Sequence, residues 1–152
     1  MEKYTFEIAG LIITLLSIIL VIHHRHDKIS GLKIEFNMSA APNRDGIGTH
    51  LAALITIFNP GKEAIFYGGL HAQSAANEVY YPMCNINGGT KLEPGQYIQG
   101  TIPAGHLINP IPRALWAVDG TGKKHYIKER SLEELVQQLK AEDHRLRKFG
   151  LS

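Results

Sequence analysis

His23, His24 and His26, set out as HHRH, form the densest group of metal-ligating side chains in the sequence. Neutral imidazoles bind Zn²⁺ or Cu²⁺, and they gain charge as pH falls through about 6.5. The cluster therefore admits a metal- or pH-responsive sensor. Consecutive helical side chains project about 100° apart, however, so one chain does not close a coordination sphere with them. They remain metal candidates only, and the reading that takes precedence is a polar cap on the apolar run before them. His50, His71, His106 and His125 are spread along the chain with no ligand spacing. Cys84 is the one cysteine, so no intramolecular disulfide staples the fold, and its surroundings carry no nucleophile motif. Neither a phosphate-binding GxxxxGK[ST] or GxGxxG loop nor a GxSxG elbow occurs. These residues predict no catalytic site, no cofactor and no small-molecule substrate.

The 152 residues carry a formal net charge of +2, and the positive charges are interspersed with negative ones. That is far from the basic stripe of a nucleic-acid binder, so no nucleic acid is expected as a partner. The length accommodates one domain of roughly 100 residues beside a terminal element.

That terminal element is the stretch from Ile8 to Ile22, IAGLIITLLSIILVI, which has no charged residue. As a helix it extends about 22 Å, and including Tyr4 and Phe6 brings it near a hydrocarbon thickness of about 30 Å. The segment before it is acidic as well as basic, and no small-residue cleavage site follows, so a retained single-pass anchor is favoured over a removed signal peptide. Lys3 precedes the span, whereas Arg25, Lys28 and Lys33 follow it. This bias favours the carboxyl-terminal domain on the cytoplasmic side; the opposite orientation is periplasmic or otherwise extracytoplasmic. Gly10, Thr14 and Ser17 share one side of the helix at spacings of four and three, a pattern that lets a second helix approach closely.

From Leu32 the apolar period shortens to two. Leu32, Ile34, Phe36 and Met38 alternate with polar residues as a half-buried strand. THLAALITIF is β-branched and apolar on both faces, as a central strand is. Asn59-Pro60-Gly61 ends it, and a strand over Ala64 to Ala72 is predicted to fold back on it as a hairpin. Further strands are predicted over Glu78 to Met83 and Tyr97 to Ile102, with a loop from Cys84 to Gln96 between them. Ala114 to Val118 pairs with Lys123 to Ile127 across Asp-Gly-Thr-Gly. About seven short strands predict an antiparallel sandwich with Trp116 in its core. Ser131 and Glu134 have capping-box spacing, and Leu132, Leu135, Val136 and Leu139 form one apolar stripe, so the chain closes with an amphipathic helix. The resulting organisation is an anchor over 1–28, a sandwich over 31–128 and a helix over 129–148.

The stretches LITIFNPGKEAIFYGGL and KLEPGQYIQGTIP carry a family likeness. Asn59, Pro60 and Gly61, then Leu92, Glu93, Pro94 and Gly95, resemble the paired turns of immunoglobulin-like accessory modules in bacterial and archaeal envelope proteins. The resemblance spans Leu32 to Lys128, although no cysteine pair bridges the sheets and only one module is present. It implies an immunoglobulin-like fold and a role in protein contact or spacing.

Together these readings predict a non-enzymatic, single-pass membrane protein that serves as an interaction module, an accessory subunit of a membrane complex. The alternative is the metal- or pH-responsive sensor built on His23, His24 and His26. Protein contacts are expected on the Gly10, Thr14 and Ser17 face, and then on the loops from Asn43 to Gly48 and Gly89 to Gly95.

Overall fold

Alternating side chains make Lys33–Pro42 (β1) and Thr49–Phe58 (β2) strands that pair antiparallel, in register from Lys33 opposite Phe58 to Pro42 opposite Thr49. The computed structural model describes residues 31–43 and 48–149. The apolar run from Ile8 to Ile22, and with it Gly10, Thr14, Ser17, His23, His24 and His26, lies outside the described residues. Among the described residues no helix is long and apolar enough to cross a membrane.

Eight strands and two helices follow one another in the described residues. After β1 and β2 come Ile65–Ser74 (β3), Val79–Tyr80 (β4), Thr90–Leu92 (β5) and Tyr97–Pro103 (β6). The short helix Gly105–Ile108 (α1), then Pro112–Asp119 (β7), Lys124–Tyr126 (β8) and Glu129–Lys148 (α2) complete the order. One sheet runs β1-β2-β6; the other runs β4-β3-β7-β8, with β5 also pairing β3, and all pairings are antiparallel. The protein is thus mainly β with antiparallel sheets and a carboxyl-terminal helix. β2 is central, as its two apolar faces predicted.

The β2–β3 connection differs from the expected hairpin. β3 leaves the sheet of β2 and joins the other one. The cause is Asn59, which is completely buried at the bend. Its Oδ1 accepts the N–H of Gly61 at 3.0 Å, and its Nδ2 donates to the carbonyls of Glu63 (2.8 Å) and Leu92 (2.9 Å). Its own N–H donates to the Gln96 carbonyl, and its carbonyl accepts from Gly95. Every polar atom of Asn59 is used, and the turn at 59–61 is knitted to the one at 93–96. In that second turn Pro94 is followed by Gly95 at φ +78°, the arrangement of a type II turn. Gly100 allows a further crossing, because a Cβ there would lie 2.5 Å from Asn85 Oδ1, which instead accepts the Thr101 N–H at 2.6 Å.

Two further expectations are corrected. The segment Cys84 to Gln96 is not all loop: Thr90–Leu92 pairs with Ile65, Phe66 and Tyr67 of β3, and Leu92 is buried. Gly89 to Gly95 is therefore partly core. Helix α2 begins at Glu129 after an extended Lys128, with no side-chain cap, so the box of Ser131 and Glu134 does not form. The start at Glu129, as the expected span 129–148 has it, places Glu129 in the first turn, where its charge suits the helix dipole, and Arg130 pairs with Glu134 at 2.9 Å.

The core is one cluster fed by both sheets and the helix. Ala53, Ile55 and Ile57 from β2, Ile102 from β6, Tyr67, Leu70 and Ala72 from β3, and Leu115 and Ala117 from β7 meet there. The α2 stripe of Leu132, Leu135, Val136 and Leu139 is buried in the same cluster, where the helix touches β1, β2 and β7. Each such side chain contributes about 1.5–3 kcal/mol on burial.

Two outcomes test this packing. Leu139→Ala, at a fully buried position, lowers unfolding free energy by about 2–5 kcal/mol in urea titrations; a change within about 0.5 kcal/mol shows the helix is not part of the core. Asn59→Asp keeps the shape but aims a carboxylate at the Glu63 and Leu92 carbonyls. Its folded-state pKa is therefore raised, so the variant is least stable at neutral pH and regains stability as pH falls and the carboxyl protonates into a donor. A variant as stable as the parent at pH 7 would contradict the clamp.

Candidate functional site

Strand parity decides which residues of the five-stranded sheet face away from the core. In β7 Leu115 and Ala117 point inward, so Trp116 between them points outward. Trp116 is buried, as expected, at only 3 % exposed, but it stands outside the central apolar cluster. Its cover comes from its own face. Trp116 stands opposite His71 of β3 and opposite Tyr126 of β8 in the ladders. The Trp116 ring lies 5.9 Å from His71 and 5.4 Å from Tyr126 between centroids. His71 in turn meets Tyr81 edge-on at 4.7 Å. Four rings thus form a row across the strands, the arrangement in which cross-strand pairs reinforce one another.

The row has deep and exposed members. Tyr81 is 69 % exposed and Tyr126 is 61 % exposed, while Trp116 is buried beneath them. Lys124 Nζ lies 5.0 Å from the Trp116 ring centroid, a cation–π contact. Burial, then the charge of Lys124, pushes His71 below the usual imidazole range, so the imidazole is neutral at pH 7. The indole N–H of Trp116 is buried and has no acceptor among the described residues. Next to Tyr126 the face dips into a depression of about 440 Å³ lined by Gln73, Arg113, Ala114 and Glu129 among others. Rings, one unsatisfied N–H donor and a cation equip this face for binding by stacking and hydrogen bonding.

A second group has the composition of a catalytic dyad. His125 and Asp119 are both buried, and the imidazole Nε2 lies 2.7 Å from Asp119 Oδ2. The other oxygen, Oδ1, accepts from the Thr121 N–H (2.9 Å), the Thr121 hydroxyl (2.6 Å) and the Lys123 N–H (3.1 Å). Burial pushes the Asp119 carboxyl up, but these hydrogen bonds outweigh it and hold the group at about 2. The hydroxyl of Thr121 is turned to the aspartate and not to the imidazole, so the pair lacks the geometry that activates a nucleophile. It ties the β7–β8 turn, and thereby sets Lys124 and Tyr126 on the outer face.

The remaining sequence candidates fall elsewhere. His50 Nδ1 contacts Asn43 Oδ1 at 3.1 Å, and His106 lies in α1. Burial raises the Cys84 thiol above its ordinary range, against thiolate chemistry. Among the described residues no group of three His, Cys, Asp or Glu side chains is placed to hold a metal ion. Of the loop from Asn43 to Gly48, the described ends are joined by the Asn43 N–H donating to the Gly48 carbonyl at 3.1 Å. Sequence reasoning missed the aromatic row because its members lie far apart in the chain. Parity carried the signal: once Leu115 and Ala117 are assigned inward, Trp116 must face out, and register then adds His71 and Tyr126.

No protein-family model matches this chain, and no curated protein or solved structure matches it either.

The Asp119 pin gives a pH signature. With a pKa depressed from 3.8 to about 2, Asp119 contributes stability that is present above about pH 4 and lost as pH falls toward 2. The difference in unfolding free energy between the parent and Asp119→Asn is therefore about 2 kcal/mol near neutrality and shrinks through that window. A difference independent of pH from 5 to 2, measured by urea unfolding, would exclude the assigned role.

Proposed function

We propose that the protein is a non-enzymatic, single-pass membrane protein whose β domain is an immunoglobulin-like sandwich that holds a partner protein at the bilayer surface, as an accessory subunit of a membrane complex. The observation that carries this reading is the outer row of Tyr81, His71, Trp116 and Tyr126. Interfaces are enriched in such side chains, and exposed tyrosines around a buried tryptophan resemble the anchor of a binding hot spot. The uncharged run from Ile8 to Ile22 supports the anchor. Strand order supports the immunoglobulin-like assignment. With β1, β2, β3, β6, β7 and β8 taken as the A, B, C, E, F and G strands, one sheet is A-B-E and the other contains C-F-G. β5 departs from the constant-domain pattern by pairing with β3 and not with β6.

Anchoring supplies the mechanism. Confinement to a membrane raises the effective concentration of a partner held in the same bilayer, so a modest face suffices for stable association. The small-residue side of the anchor, Gly10, Thr14 and Ser17, offers a second contact with a neighbouring helix.

Photo-crosslinking residues placed at positions 81, 126 and, on the other sheet, 97 test this reading in native membranes. Positions 81 and 126 are expected to trap the same second protein and position 97 is not. Removal of residues 1–28 should release the chain into the soluble fraction. Equal trapping from all three positions, or from none, would remove the outer face from the account, and a truncated chain still embedded in membrane would remove the anchor.

A further inference from the structure

We infer that the segment this face takes is an extended, proline-rich stretch of the partner protein carrying an acidic residue beside its prolines. This rests on the outer-face reading above and names what is bound there. β3 and β7 are interior strands of their sheet, with neighbours on both sides, so a ligand lying on the face is recognised through side chains and not by adding a strand. The face offers flat rings in a row, two of them exposed. Proline rings are rigid and apolar, and a polyproline II segment reaches such a surface with little entropy left to lose.

The indole of Trp116 selects among extended ligands. Its N–H is buried without an acceptor among the described residues, an arrangement that carries a desolvation penalty. A polyproline II backbone makes no internal hydrogen bonds, so each of its carbonyls is free to accept that N–H. Lys124 covers the ring through its cation–π contact, and its exposed, flexible chain can swing aside as the ligand arrives. Its charge then favours a ligand that carries an anion nearby, which an acidic residue supplies. At the far end of the face Arg113 shares the depression with Glu129, whereas Lys124 takes part in none of the ion pairs among the described residues. A sugar chain also stacks on tyrosines, but it needs many polar groups for its hydroxyls, and the ring row presents few.

The chain has one tryptophan, so its emission reports on this face alone. The full chain in detergent micelles is titrated with a short peptide of prolines interrupted by glutamate. Parallel titrations use the same peptide with alanine for proline, the same peptide with lysine for glutamate, and a chitin-type oligosaccharide. A saturable emission shift with the first peptide is expected, about tenfold weaker with the alanine peptide and about fivefold weaker with the lysine peptide. Tyr81→Ala, at a surface position that leaves the core intact, weakens binding about tenfold; Trp116→Phe, read by calorimetry, weakens it about fivefold by deleting the N–H. Equal binding of the alanine peptide, or binding of the oligosaccharide alone, overturns the inference. Absence of peptide binding while positions 81 and 126 still trap a partner in membranes overturns this inference and leaves the proposed function standing; loss of both signals removes both.

Discussion

The two-residue period of β7 is the constraint on which the rest of the molecule depends. Leu115 and Ala117 must enter the core that the two sheets share, and a strand then has no choice about the residue between them. Trp116 is forced to the outside of its sheet. A large apolar ring cannot be left in water at no cost, so the face is built around it: His71 and Tyr126 stand directly opposite in register, and Lys124 lies over the ring. The requirement of the core and the character of the outer surface are two consequences of one register.

Two devices keep that register fixed in a chain with a single cysteine. Asn59 satisfies all of its polar atoms within the bend between the sheets, tying together two turns that are 33 residues apart in sequence at the Leu92 carbonyl. A buried amide so fully paired is specific, because any slip leaves several groups unpaired at once. Asp119 does the same for the β7–β8 turn, gathering Thr121, Lys123 and His125. Helix α2 closes the core from both sheets with four apolar residues on one stripe. Three of the four rings, His71, Trp116 and Tyr126, are therefore mounted on paired strands, and Tyr81 directly follows β4.

How legible all this was in the sequence depends on the range of each interaction. The span of β2, the Asp-Gly-Thr-Gly hairpin and the stripe of α2 follow from neighbours within a few residues, and they stand in the structure where the pattern places them. The crossing from β2 to β3 was hidden, because an Asn-Pro-Gly turn serves a hairpin and a crossover alike and only the distant Leu92 carbonyl decides between them. The three residues of β5 carry too short a pattern to be read as a strand. The bounds of α2 stand where they are expected, but the capping box at Ser131 does not form, because the helix starts at Glu129 after an extended Lys128 and Ser131 lies inside its first turn. The burial of Trp116 is legible from its size and stands in the structure, but only parity says on which side of the sheet the ring lies. The metal candidates His23, His24 and His26, and the small residues Gly10, Thr14 and Ser17, lie outside the described residues, and their roles rest on the sequence.

The account stands or falls on the outer face being the surface that a partner covers. Oxidative footprinting of the full chain, alone and within its native membrane assembly, reads side-chain access there directly. Tyr81 and Tyr126 should lose reactivity in the assembly, while Tyr97 and Phe149, exposed elsewhere in the fold, keep theirs. Unchanged labelling at Tyr81 and Tyr126, with protection at Tyr97 or Phe149, would contradict it.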